Sequence, residues 1–82
     1  MEQKFRVPYL EWEFVFFVPE RDFDGVLHGR AEVIRTRDLR LECTFSLSRK
    51  QGSLRQLRGE LNEECLAWVS EWRRRKRGGG GG

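Results

Sequence analysis

The chain is poor in the residues from which most catalytic and metal sites are built. Its 82 residues include one histidine, His28, and two cysteines, Cys43 and Cys65. A nucleophilic thiol needs a base beside it, and the alternation patterns described below place His28 and Cys43 on opposite faces of a sheet. A structural zinc site takes four ligands, which these three residues cannot supply, and no glycine-rich loop precedes a helix as a phosphate site requires. We therefore predict no catalytic residues, no metal, no cofactor and no enzymatic activity.

Long apolar runs are also missing. The longest, Phe14–Val18, is bounded by Glu13 and Pro19, whereas a transmembrane helix needs about 18 or more apolar residues. There is no apolar signal segment, and a chain with two cysteines fits a reducing compartment. We expect a soluble cytoplasmic protein, and a membrane is not a favoured partner.

Positive charge is concentrated near the C-terminus. The formal net charge is +3, but the run Arg73–Arg77 alone carries five cations, so the rest of the chain is slightly acidic. Binding to a polyanion would therefore depend on this run or on local clusters of arginine. The glycines at residues 78–82 are predicted to be a disordered tail outside a single domain of residues 1–77.

Three segments alternate apolar and polar residues as half-buried strands do. They are Leu10–Val18, Gly25–Ile34 and Leu39–Ser48. Residues 1–9 alternate as well but contain Pro8, which favours an edge position. The face predicted to be buried contains Trp12, Phe14, Phe16, Ala31, Leu41, Cys43 and Phe45.

Charges on the other face suggest how the strands pair. Opposite charges on neighbouring strands stabilise a pairing by a few tenths of a kcal/mol. We therefore predict that Arg30 lies opposite Glu42 on one side and Glu13 on the other, and that Glu32 lies opposite Arg40. This register keeps Arg30 and Glu42 on the outer face.

The last segment has the pattern of an amphipathic helix. Ser53 and Gln56 match a capping box, and apolar residues then recur every three or four positions as far as Trp72. We predict a helix over Leu54–Arg77. The predicted fold class is α+β: a three-stranded antiparallel β-meander, open to an extra N-terminal strand, packed on one face by a long C-terminal α-helix.

A second set of apolar residues lies on the face away from the predicted helix. A cluster of this kind on so small a domain is typical of an interface, although the N-terminal segment Phe5–Tyr9 is an alternative cover for it. The leading hypothesis is a small non-enzymatic protein-interaction module, an accessory, regulatory or inhibitor protein. It would occlude a partner's surface and self-associate, so that its partners are another protein, a second copy of itself, or both. The predicted interface residues are Val15, Phe17, Phe23, Val26 and Ile34.

The basic run supports a second hypothesis, nucleic-acid binding. A simpler explanation is that cations at the C-terminal end of a helix complement its dipole and bind no partner. A third functional possibility is attachment to an anionic membrane through Trp72 and the basic run. Phosphate contacts would make the affinity strongly dependent on salt. The candidate polyanion-binding residues are Arg35, Arg37, Arg40, Arg73, Arg74, Arg75, Lys76 and Arg77.

Overall fold

The fold is seen in a computed structural model that describes residues 2–20, 26–49 and 53–79. The predicted interface residue Phe23, the neighbouring turn formers and residues 80–82 lie outside the described residues. Four strands precede one helix along the chain. They are β1 (Glu2–Tyr9), β2 (Trp12–Pro19), β3 (Leu27–Arg35), β4 (Arg40–Arg49) and α1 (Leu54–Gly79).

The strands form one antiparallel sheet in the order β1-β2-β3-β4. This confirms the predicted α+β meander, and residues 2–9 supply the additional strand at its edge. Pro8 lies in β1, where an edge strand tolerates its missing N–H. Because β1 continues the sheet, it does not fold over the outer face, which no described element covers.

The core lies between the sheet and α1. Alternate residues of β2 and β3 and every fourth residue of the helix meet there, and each is at most 3% exposed. Burying one large aliphatic or aromatic side chain stabilises a fold by about 1.5–3 kcal/mol, so this layer dominates the stability of the domain. Its members are Trp12, Phe14, Phe16, Val18, Leu27, Ala31, Val33, Leu57, Leu61, Cys65 and Val69.

The start of the helix is capped as the sequence indicates. The Ser53 N–H donates to Gln56 Oε1 at 2.9 Å, and the Gln56 N–H donates to Ser53 Oγ at 3.2 Å. These reciprocal bonds are those of a capping box. They satisfy donors that the first turn of a helix would otherwise leave unpaired.

The predicted registers are wrong by four residues at both pairings. Arg30 lies opposite Phe17 and Ser46, not opposite Glu13 and Glu42. A slip of four residues preserves which face each side chain occupies, because side chains alternate with a period of two. The inner and outer faces are therefore largely as predicted.

One part of β4 departs from that pattern. The register shifts between Val33 and Ile34, so that Val33 pairs with Cys43 but Ile34 pairs with Leu41. This bulge moves Leu41 from the predicted buried face to the outer face, where it is 53% exposed. It also brings Glu42 to the helix side, within 3.0 Å of Arg35, which corrects its predicted outer position.

Gly29 in β3 and Gly59 in α1 should respond in opposite ways to substitution by alanine. A Cβ at Gly29 would lie 2.9 Å from Leu57 Cδ2 and 2.9 Å from Leu61 Cδ1, whereas a Cβ at Gly59 would meet nothing within 4 Å. We expect Gly29→Ala to lower the free energy of unfolding by about 1–3 kcal/mol through overpacking. Gly59→Ala should raise it by about 0.5–1 kcal/mol through helix propensity.

Urea denaturation of the two variants and the wild type measures both effects. Because the chemical change is identical, each variant is the control for the other. Equal shifts of the same sign would contradict the close packing of α1 against β3.

Candidate functional site

Two hairpin turns meet at one end of the sheet, which we call the hairpin end. They are Leu10–Glu11, between β1 and β2, and Thr36–Leu39, between β3 and β4. The backbone N–H and Oγ1 of Thr36 donate to the Glu11 carbonyl at 3.1 and 3.0 Å. These two bonds join the turns into one surface.

The hairpin end exposes three leucines. Leu10, Leu39 and Leu41 are 67%, 81% and 53% exposed, and they are three of the four large hydrophobic residues that are exposed in the described part of the chain. Leu10 and Leu39 also have positive φ angles, 56° and 55°. That conformation costs a non-glycine L-residue roughly 1–2 kcal/mol, and glycine or asparagine is usual there.

The basic end of α1 reaches the same level. The Trp72 ring lies edge-on to the Trp12 ring at a centroid distance of 5.0 Å. Trp72 also lines a shallow cleft with Glu11 and Arg37 of the two turns, and the four residues Arg73–Lys76 advance about 6 Å further along the helix. Cations of the helix and leucines of the turns therefore lie at one end of the molecule.

Not all of the candidate cations are available to a partner. Arg35, with a side chain 24% exposed, pairs with Glu42 at 3.0 Å and lies over the rings of Trp12 and Trp72 at 5.7 and 5.3 Å. Its Nε and Glu42 Oε2 are buried without an aligned hydrogen bond, so the pair is held by charge proximity. Arg35 therefore fixes the helix to the sheet more than it faces solvent.

The remaining cations are more exposed. Arg40, with a side chain 71% exposed, is 3.8 Å from Glu42. Arg37 lines a shallow cleft with Glu11 and Trp72, so it lies at the same end of the molecule as the start of the basic run.

The basic run itself is partly paired within the helix. Arg74 and Arg75 pair with Glu71, and Lys76 lies over the Trp72 ring at 5.5 Å. Arg73 is exposed on the same helical segment. The side chain of Arg77 lies outside the described part of the structure.

The apolar residues predicted as an interface do not form one corner. Val15 is only 1% exposed, since Arg6 and Glu32 stand beside it on the neighbouring strands. Val26, 37% exposed, precedes β3, and Ile34 lies at the opposite end of that strand.

Phe17 and Ile34 remain on the outer face and are half-buried. The Phe17 ring has Lys4 Nζ at 5.6 Å and the Arg30 guanidinium at 4.2 Å. Ile34 instead lies beside Leu41, at the hairpin end. The register that separates these residues also creates the apolar surface of the hairpin end, which sequence reasoning did not identify.

The two thiols lie on the helix side of the sheet, apart from the histidine on the other side. Burial raises the pKa of Cys65 to about 12, with smaller contributions from Cys43 and Glu64, and burial also raises the pKa of Cys43. The His28 ring is on the outer face, where its Nδ1 is 2.8 Å from Ser48 Oγ. The described residues contain no group of three or more His, Cys, Asp or Glu side chains placed to hold a metal ion.

Comparison of the chain with protein-family models, with curated proteins and with solved structures finds no match. Within the described ranges, no helix has both the length and the apolar character needed to cross a bilayer.

The raised pKa of Cys65 should make stability depend on pH above about 9. Between the ordinary thiol pKa of 9.0 and the folded value of about 12, the unfolded chain releases this proton and the folded chain retains it. The free energy of unfolding should therefore fall as pH rises, with a contribution from this group of about 1 kcal/mol per pH unit.

Cys65→Ala lacks this group but keeps every other titrating residue, so it is the reference variant. Urea denaturation of both proteins at about pH 8 and about pH 10 measures the difference. The stability advantage of the wild type over Cys65→Ala should shrink at the higher pH; a constant advantage would show that the thiol ionises in the folded chain.

Proposed function

We propose that this protein is a small non-enzymatic interaction module that binds a partner protein through its hairpin end and occludes the surface it covers. The observation that carries the proposal is the exposure of Leu10, Leu39 and Leu41 at that end. Large exposed apolar residues gathered at one end of a small domain are typical of an interaction surface. An accessory, regulatory or inhibitor protein acting in the cytoplasm would work in this way.

Backbone conformation supports this role. Leu10 and Leu39 hold positive φ angles although their side chains are largely exposed, so burial against the core does not offset the cost. Strained residues of this kind cluster at functional sites. A partner that buries both side chains would supply the compensating free energy.

The charges around the leucines indicate the chemistry of the partner. Arg37 and Arg40 are close to Leu39 in the chain, and the exposed cations Arg73–Lys76 follow Trp72 at the same end, where they outnumber the exposed acids Glu11 and Asp38. The matching surface would have an apolar pocket for the leucines, edged by carboxylates. Electrostatic complementarity of this type increases the association rate and selects among partners.

Self-association would use a different surface. Two hairpin ends brought together would bring the two basic runs, Arg73–Lys76, close to each other, whereas the outer sheet face has its opposite charges interspersed, as in the 2.8 Å pair of Arg6 with Glu13. We propose a twofold contact through this face, with Phe17 near its centre. Light scattering should then show a dimer for the wild type and a monomer for Phe17→Asp.

Nucleic-acid binding is the second candidate function. It is favoured by the position of Arg37 beside Trp72, next to the exposed cations at the end of α1. The exposed leucines contribute nothing to phosphate recognition, which is why we rank this function below protein binding. Phosphate binding would weaken steeply as salt rises.

The substitution Leu39→Asn tests the leading proposal. Asparagine tolerates the left-handed conformation, so the free energy of unfolding should stay level or rise by up to about 1 kcal/mol. Proteins captured from a host lysate by the immobilised wild type should be lost from Leu39→Asn. Leu39→Met, which keeps an apolar side chain, is the matched control and should retain them.

Equal capture by the wild type and Leu39→Asn would exclude the hairpin end as the docking surface. The nucleic-acid candidate is tested separately, by titrating duplex DNA into the full chain and into a chain ending at Trp72, each at two salt concentrations. Salt-sensitive binding by the full chain alone would assign the function to the basic run.

A further inference from the structure

A groove runs between β1 and the first half of α1, far from the hairpin end. The helix packs over β2, β3 and β4, so the inner side of β1 is only partly covered. The groove has a volume of about 530 Å³, within the range of sites that hold small molecules.

The groove is apolar at its base and basic at its rim. Val7, Phe16 and Leu54 line it together with Arg55 and Arg58, the uncharged polar residues Gln3 and Asn62 also line it, and none of its described lining residues is a carboxylate. The first turn of α1 contains no acidic residue either. Among the described residues that line the groove, the positive charge is therefore not neutralised by a carboxylate.

Arg58 is held in place by an aromatic ring. Its guanidinium lies over Phe5, with 3.9 Å between the central carbon and the ring centroid. Stacking uses the flat face of a guanidinium and leaves the N–H groups at its edge to donate hydrogen bonds. A planar anion such as a carboxylate matches that edge with two bonds.

Gly59 keeps the groove open. It lines the groove in the interior of the helix, where glycine costs about 1 kcal/mol relative to alanine, and a Cβ there would meet nothing within 4 Å. Packing within the chain therefore does not require glycine at this position. The missing side chain instead allows a bound molecule to approach the helix closely.

We infer that this groove binds a small carboxylate with an apolar body, such as a medium-chain fatty acid. The apolar chain would lie on Val7, Phe16 and Leu54, beside the open helix surface at Gly59. The carboxylate would accept hydrogen bonds from Arg55 and Arg58. This site is separate from the hairpin end, so the inference does not depend on the proposed function.

Calorimetric titration with decanoate, and with the uncharged 1-decanol, tests the inference. Decanoate should bind the wild type about tenfold more tightly than decanol, since one charge-assisted contact is worth about that factor. Arg58→Gln should remove most of that difference, and Arg55→Gln should remove a smaller part of it. Gly59→Leu should fill the groove and abolish binding of both molecules, whereas Gly59→Ala, which adds only one methyl group in open space, should weaken decanoate binding slightly.

The glycine variants keep the test interpretable, because both raise helix propensity and their folding can be checked by circular dichroism. Absence of saturable binding at millimolar decanoate would overturn the inference, as would equal affinity for decanol. Decanoate binding that survives Gly59→Leu would place the site elsewhere. Loss of a dimer in Gly59→Leu without any decanoate binding would assign the groove to a second copy of the chain.

Discussion

The molecule is shaped by the mismatch between one helix and the sheet that it must cover. A helix with its side chains is about 10–12 Å wide, whereas the outer strands of a four-stranded sheet are about 14 Å apart. One helix cannot cover all four strands, and α1 lies over β2, β3 and β4. The inner face of β1 is left with side-chain contacts only, such as Arg58 on Phe5, and the groove follows from that geometry.

A second mismatch concerns length. The 26 residues of α1 extend about 39 Å, whereas the ten residues of β4 extend about 33 Å. Since the capped start of the helix follows β4 closely, the excess length lies at the other end. It places Arg73–Lys76 at the level of the turns. The helix is therefore too narrow to cover β1, which leaves the groove open, and long enough to add cations to the hairpin end.

The sequence is sufficient for the elements and for most of their faces, but not for the registers. Alternation and the capping box located the strands and the helix, because these signals are local. Register was inferred from charge pairs, which are worth only a few tenths of a kcal/mol. The requirement that Gly29 lie beneath Leu57 and Leu61 involves larger packing energies, but it is visible only once the helix is in place.

The hairpin end was missed for a related reason. Two-residue turns are usually recognised by glycine or asparagine, and Leu10–Glu11 contains neither, so Leu10 was assigned to a strand. Leu41 was assigned to the core because alternation carries no sign of the bulge that turns it outward. The turn at Leu10 and the bulge at Leu41 are thus the places where strand alternation fails, and both expose a leucine. Sequence rules of this kind are expected to fail mainly at functional sites.

Both candidate sites are built on elements that are fixed at each end. Near its start, α1 is held to β4 by the pair of Arg49 with Glu60. Near its end, Trp72 packs on Trp12 and under Arg35. A helix anchored at both points cannot rotate about its axis without breaking one contact, so Arg55 and Arg58 stay over the groove while the basic run stays beside the turns. Ligands at the two sites would therefore meet preformed surfaces, and little of their binding free energy would be lost in ordering the protein.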